Sequence, residues 1–102
     1  MSTATVVLED HLTLDTLESA LSVVPRSCSA LVVDCRAMSG YDSDARARFV
    51  EWNAERRDII RRVAVVTENM LWHMIIAAMA LASRQDMKAF NTVDDARAWA
   101  DA

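Results

Sequence analysis

The sequence predicts an α/β fold in which about four mostly parallel strands alternate with four helices, and three observations lead to this prediction. Short apolar runs typical of buried strands alternate with segments of helical periodicity along the chain. The connections leave no room for hairpins, so the helices are crossovers between parallel strands. One Gly, one Pro and 53% hydrophobic residues argue against disorder and against a turn-rich β-sandwich. A chain of 102 residues forms one domain, residues 1–102.

The pattern of the first half of the chain predicts two strands, each followed by a helix. Residues 5–8 form a short strand, and Thr13 caps a helix that stops at Pro25. Residues 30–33 are continuously apolar, which is typical of a central strand covered on both faces. Residues 42–58 then form an amphipathic helix on the sheet. The residues predicted to face inward are Leu14, Leu17, Ala20, Leu21, Val24, Ala45, Phe49, Trp52 and Ile59.

The second half repeats this alternation twice. Residues 63–67 form another buried strand, followed by a helix from near Asn69 to near Ser83. Residues 87–90 form a short strand, and Thr92 caps a last helix with two carboxylates in its first turn. The residues of this last helix that are predicted to face inward are Val93, Ala96, Trp99 and Ala100.

Charge and cysteine content limit the classes of function. The net charge of −4 argues against nucleic acid as a partner, because phosphate binding needs a basic surface. The amino terminus lacks the features of a signal peptide, so we expect a cytoplasmic protein. The longest apolar stretch, residues 70–82, is shorter than the roughly 20 residues that span a bilayer. Cys28 and Cys35 are expected to be separate buried thiols, and we expect neither a metal ion nor a cofactor.

The helix of residues 70–83 is apolar nearly all the way round. The sheet can cover one face, and the rest meets either neighbouring helices of the same domain or another molecule: a second copy, a protein partner or a lipid. The three stripes of the helix are Trp72, Ile75, Ile76 and Met79; Met74, Ala78 and Leu81; and His73, Ala77, Ala80 and Arg84. The candidate interface or ligand residues are Met70, Trp72, His73, Met74, Ala77, Ala80 and Leu81.

The residues from Leu31 to Ala45 resemble the strand, loop and helix start of STAS domains, the fold of sulfate-transporter domains and anti-sigma-factor antagonists. In that family a strand ending in Asp leads to a DSSG-like helix start, which here reads Asp42-Ser43-Asp44-Ala45. The rest is similar to the SpoIIAA-like branch, through Arg62-Val63-Ala64-Val65-Val66, Trp72, Met87-Lys88-Ala89-Phe90 and Ala96-Arg97-Ala98-Trp99. The resemblance covers residues 5–102.

This resemblance implies a regulatory or protein-interaction domain without catalytic activity. Anti-sigma-factor antagonists are phosphorylated on a Ser or Thr of the DS(S/T)G stretch, for which only Ser43 remains here. Asp42, Ser43 and Asp44 are therefore a candidate phospho-switch, with a plain helix cap as the alternative. STAS domains usually begin with an extra edge strand, and because only a few residues precede residues 5–8, we expect this strand to be missing or supplied otherwise. An uncovered edge invites self-pairing.

We therefore expect a cytoplasmic homodimer that acts as a regulatory or protein-interaction module. The alternative is a small apolar-ligand (lipid) binding protein, because SpoIIAA-like proteins are likened to CRAL-TRIO lipid carriers and an apolar groove beside residues 70–82 would suit an acyl chain. An enzyme is not expected, because the chain contains no GxSxG, HExxH, P-loop or GxGxxG pattern. His73 would suit a general base, with Glu68 nearby in the sequence, but catalysis also needs a nucleophile or a metal beside the base, and no motif supplies one.

Overall fold

The computed structural model describes residues 2–102 and contains one parallel sheet of four strands. The strands β1 (Thr3–Leu12), β2 (Ala30–Tyr41), β3 (Arg62–Val66) and β4 (Met87–Phe90) lie side by side in chain order. Each strand is followed by a helix: α1 (Leu14–Ser22), α2 (Ser43–Arg56), α3 (Met70–Ser83) and α4 (Val93–Asp101). The predicted α/β class, with four parallel strands and four helices, is confirmed.

Three helices pack on one face of the sheet and one on the other. Because strand neighbours in the sheet are also neighbours in the chain, crossovers of one hand place α1, α2 and α3 on the same face. There they pack on the larger side chains of the central strands, whereas α4 packs on smaller ones. The residues under the three-helix layer are Leu31, Val33, Val63 and Val65, and those under α4 are Ala30, Val32, Ala64 and Val66. Both faces of β3 and of residues 30–33 of β2 are therefore buried.

β1 and β2 are longer than the apolar runs that predicted them. β1 extends to Leu12 and β2 to Tyr41, and the two extensions pair with each other beyond the end of β3. The register shifts twice along this pair, and Asp10 adopts a left-handed backbone conformation with φ of 56°. Bulges of this kind are irregularities of backbone hydrogen bonding, so the hydropathy of the side chains gives little indication of where they occur.

The carboxyl end of α2 differs from the prediction. The helix ends at Arg56 rather than near Asp58. The prediction that Ile59 faces the core is wrong: it is 52% exposed, whereas Ile60 is 1% exposed. The chain leaves the helix in a turn in which the N–H groups of Ile59 and Ile60 both donate to the carbonyl of Arg56. This turn rotates Ile60 inward in place of its neighbour.

Helix α1 offers a direct test of the core. Leu17→Ala should lower the free energy of unfolding by about 2–5 kcal/mol, because the Leu17 side chain has no exposed surface and its loss leaves a cavity. The prediction that Leu14 faces inward is wrong, since this residue is 36% exposed. Leu14→Ala is therefore the matched control on the same helix and should cost about 1 kcal/mol or less. Urea denaturation followed by circular dichroism measures both. Equal losses would contradict this placement of α1.

Candidate functional site

Helix α3 is capped at both ends and contains no Asp, Glu, Lys or Arg. At its start, Oδ1 of Asn69 accepts hydrogen bonds from the backbone N–H groups of Leu71 and Trp72, at 3.0 and 3.4 Å. At its end, Arg84 adopts the left-handed conformation with φ of 57°, and its N–H donates to the carbonyl of Leu81. The predicted bounds near Asn69 and Ser83 thus match the observed helix.

The inner face of α3 packs on the sheet. Ile76 and Met79 are buried, while Trp72 and Ile75 are half-buried against the same core. The ring of Trp72 meets Tyr41 of β2 edge to face, with 5.8 Å between ring centroids. This is the apolar face that helical periodicity predicted.

His73 also belongs to the inner side of the helix. Its Nε2 lies 2.8 Å from the backbone oxygen of Thr67, to which it donates a hydrogen bond. The contact ties the first turn of α3 to the carboxyl end of β3. A structural role therefore accounts for His73.

The opposite face of α3 is apolar and exposed. Met70, Leu71, Met74 and Leu81 have exposed fractions of 68, 62, 71 and 82%. Together with the exposed alanines they form what we name the α3 outer face: Met70, Leu71, Met74, Ala77, Ala78, Leu81 and Ala82. The sequence left two alternatives for this surface, and the first, that neighbouring helices of the same domain cover it, is wrong: no helix within residues 2–102 covers these side chains.

The predicted interface residues divide between the two faces. Met70, Met74, Ala77 and Leu81 lie on the outer face, whereas Trp72, His73 and Ala80 face the domain and are half-buried. The structure does not bring the whole set together on one surface. Because almost every position of α3 is apolar, hydropathy alone does not show which side the sheet covers.

An apolar cavity of about 70 Å³ lies beneath the inner face of α3. Fifteen residues from all three helices of this layer and from β1, β2 and β3 line it, among them Cys35, Tyr41, Arg46 and Trp72. Arg46 is the only charged residue of the fifteen. The cavity lies toward the carboxyl ends of the strands, the usual place for ligands in open α/β sheets. Sequence reasoning did not find Arg46, because the chain offers no local signal that it reaches this cavity.

The size of the cavity bears on the lipid alternative. An engineered cavity of about 150 Å³ in another protein binds benzene. The cavity here has about half that volume. It holds a few carbon atoms, fewer than an acyl chain of fatty-acid length contains.

Both thiols are buried and free, as predicted. Burial raises the pKa of the Cys35 thiol to about 12, and the neighbouring charge of Asp34 adds to this effect. Asp34 itself accepts two hydrogen bonds from the Arg36 guanidinium, at 2.9 and 2.8 Å, which lower the pKa of its carboxyl. Cys35 therefore presents an uncharged thiol to the cavity at neutral pH.

The amino terminus of α2 carries the candidate switch residues. Asp42 occupies the N-cap position, as one of the two alternatives for these residues predicts, but its side chain makes no capping hydrogen bond. Oδ1 of Asp42 instead accepts a hydrogen bond from Nε2 of His11 at 2.7 Å. His11 lies 31 residues away and its ring packs closely over Gly40, so the sequence carried no sign of the contact. Ser43 and Asp44 are exposed in the first turn. Phosphorylation of Ser43 stays a prediction.

Metal-binding and membrane-spanning features are not found in residues 2–102. In this part of the chain, no three His, Cys, Asp or Glu side chains are grouped to hold a metal ion. Likewise, none of the helices built from these residues is long and apolar enough to cross a bilayer.

The raised pKa of Cys35 predicts a loss of stability at alkaline pH. Above pH 9.0, the ordinary value, the unfolded thiol releases its proton while the folded one keeps it up to about pH 12. The stabilisation of the folded state that this thiol contributes is therefore complete below pH 9.0 and is lost as pH rises toward 12. The free energy of unfolding then falls by at most about 1.4 kcal/mol per pH unit. Urea denaturation at a series of pH values should show a shallower decline for Cys35→Ala than for the wild type. Parallel curves would refute the assignment.

Comparisons with known proteins agree with the fold. Residues 4–101 match the family model SpoIIAA-like. The structure is similar to the crystal structure of an uncharacterised protein of the DUF3478 family, with a SpoIIAA-like fold, from Shewanella loihica PV-4. The TM-score is 0.69 at 18% sequence identity, over 94% of this chain and 82% of that one, which shows the fold alone. No curated protein is significantly similar in sequence to this chain.

The family assignment rests on the extent of the match. The family model covers residues 4–101, a span that contains nearly all of the strands and helices described above. SpoIIAA-like and STAS domains are generally non-catalytic. The resemblance that the motifs indicated is thus confirmed, and the chain belongs to the SpoIIAA-like family.

Proposed function

We propose that this chain is a non-catalytic, cytoplasmic interaction module that forms a homodimer through the α3 outer face. The observation that supports the proposal is the exposure of seven apolar residues on a helix without Asp, Glu, Lys or Arg. Each square ångström of apolar surface removed from water contributes about 25 cal/mol to association. Contiguous exposed apolar surfaces of this kind mark interaction sites.

The order of residues along the outer face suits a second copy of the same helix. Met70, Met74, Ala77 and Leu81 follow one another at spacings of four, three and four, the spacing of a coiled-coil seam. These spacings read the same in both directions, so two antiparallel copies related by a two-fold axis bring the four positions of one helix opposite the four positions of the other. Each Met74 then lies opposite the partner's Ala77, and each Met70 opposite the partner's Leu81. No charged group of α3 loses its water in such a pair.

The open edge of β1 is a poorer surface for self-association. Its register on β2 shifts twice, and Glu9 and Asp10 occupy the irregular stretch. Bulges and charged side chains discourage the addition of another strand. Polar contacts from α4 also reach β1, where Arg97 donates to Thr5 and Thr3 donates to Asp101. The support for a dimer therefore comes from α3 rather than from the edge.

Substitution at the centre of the seam tests the proposal. Ala77→Glu should weaken the dimer at least about tenfold and yield folded monomers, because it places an unpaired charge in an apolar contact. Light scattering coupled to size exclusion over a range of concentrations measures the mass. Circular dichroism verifies that the variant is folded.

Ala47→Glu is the matched control, since Ala47 is an exposed alanine of α2 outside the proposed interface. It should leave the mass of the wild-type dimer unchanged. A wild type with the mass of one chain at every concentration would refute self-association. Equal dissociation by both substitutions would show that the α3 outer face is not the interface.

A further inference from the structure

We infer that the edge of the sheet at which the strands begin docks on the surface of an anionic lipid bilayer. All four helices end at this edge, and from the first three the chain continues directly to the next strand. What we name the amino edge consists of these helix ends and connections: residues 23–29, 56–62, 84–86 and 101–102. The inference goes beyond the proposed dimer, because it concerns a surface other than the α3 outer face.

The amino edge is basic in a chain that is acidic as a whole. Its six arginines and three aspartates give it a formal charge of +3, whereas the other five cations and twelve acidic residues give the rest of the chain −7. The six are Arg26, Arg56, Arg57, Arg61, Arg62 and Arg84. The asymmetry continues at the opposite edge, where the connections after the strands contain six carboxylates and no Lys or Arg, in residues 12–16, 41–45, 67–71 and 91–95. Such a charge distribution turns the amino edge toward a negatively charged surface.

Four arginines of the amino edge are available to another molecule. The four exposed ones are Arg26, Arg57, Arg61 and Arg84. Within residues 2–102, no carboxylate oxygen lies within 4.0 Å of their guanidinium groups. Arg62 differs from them, because it donates a hydrogen bond to the backbone oxygen of Trp99 at 2.7 Å. The four therefore make no ion pair inside the domain that would compete with a partner.

Helix dipoles do not account for this cluster. A cation at the end of a helix is stabilised by the dipole, but the effect is confined to the last turn. Arg26 lies four residues beyond the end of α1, and Arg61 lies five residues beyond the end of α2. The positions of these two arginines are therefore not explained by the stability of the helices.

Two exposed aliphatic side chains lie on the same edge. Val23 follows the end of α1 and is 74% exposed, and Ile59 lies in the turn after α2 and is 52% exposed. The two connections are neighbours, because α1 contacts α2 and the N–H of Arg61 donates to the carbonyl of Ser29 at 2.8 Å. Apolar side chains and cations therefore occupy one end of the molecule together.

This combination favours a bilayer over an acidic protein. Single aliphatic side chains enter the interfacial region of a bilayer, while guanidinium groups beside them remain among the anionic headgroups. A protein interface has a continuous apolar or aromatic centre instead. Among residues 2–102, no large exposed apolar side chain of the amino edge is found besides Val23 and Ile59.

Binding of the full chain to vesicles tests the inference. Vesicles of phosphatidylcholine with about 30% phosphatidylserine should bind it at least about tenfold more tightly than phosphatidylcholine alone, because each arginine near an anionic surface contributes about fivefold. Sedimentation with the vesicles measures the bound fraction. Raising NaCl from about 0.05 to about 0.5 M should remove most of the difference, because salt screens the charges. Equal binding to the two kinds of vesicle, or binding to neither, would refute the inference.

A double substitution tests the arginines. Arg57→Gln combined with Arg61→Gln should weaken binding to the anionic vesicles at least about tenfold. Arg36→Gln combined with Arg97→Gln is the matched control, because it removes the same charge from two exposed arginines outside the amino edge. Circular dichroism verifies that both proteins are folded. Equal losses would show that net charge rather than this edge governs binding, and would overturn the assignment.

A pair of valines tests the apolar contact. Val23→Ser should weaken binding about fivefold, because its side chain no longer gains from leaving water. Val7→Ser is the control, since Val7 is 55% exposed on β1 and lies outside the amino edge. Equal affinities of the two variants would contradict the insertion of Val23.

The dimer and the membrane contact are tested separately. Ala77→Glu leaves the amino edge intact and should still bind the anionic vesicles, whereas its failure to bind while folded would place the contact on the α3 outer face and refute the inference. Binding to polyglutamate without binding to vesicles would identify an acidic protein as the partner and would also refute it. Loss of vesicle binding in the Arg57 and Arg61 variant, with the mass of a dimer retained, would leave the proposed self-association intact.

Discussion

The strand β3 and residues 30–33 of β2 bury both of their faces, and the positions of all four helices follow from this requirement. The strands lie in chain order, so the three crossover helices share one face of the sheet. Only α4, which follows the last strand, is free to cross to the opposite face. There the strands present Ala30 and Ala64 beside two valines, and one short helix is enough to cover them.

The same arrangement explains why α3 has an exposed face. In the three-helix layer, α1 contacts α2 and α2 contacts α3, so α3 is the last member and has a helix neighbour on one side only. A fourth helix on this face would have covered the other side, but α4 lies across the sheet. Burial against the sheet therefore explains the apolar residues on the inner face of α3. It does not explain those on the outer face, which are exposed.

Helix α3 separates two surfaces of different character. Its inner face roofs a small apolar cavity, and its outer face is a broad apolar stripe. A displacement of α3 that enlarged the cavity would also change the geometry of the outer face, because both belong to one rigid helix. Membership of the SpoIIAA-like family accounts for the fold that holds α3 in this place, while the two surfaces come from this chain's own residues.

Local patterns in the sequence determined the fold class, the order of the elements, the ends of α3 and the family, since hydropathy period and capping residues act within one segment. Tertiary structure alone decided the pairing of the extensions of β1 and β2, the entry of Ile60 instead of Ile59, and the contact of His11 with Asp42. It also decided which side of α3 remains exposed and that Arg46 reaches a cavity. These features depend on register and packing between residues far apart in the chain. Neither the hydropathy of a uniformly apolar helix nor the position of a single arginine in the sequence indicates them.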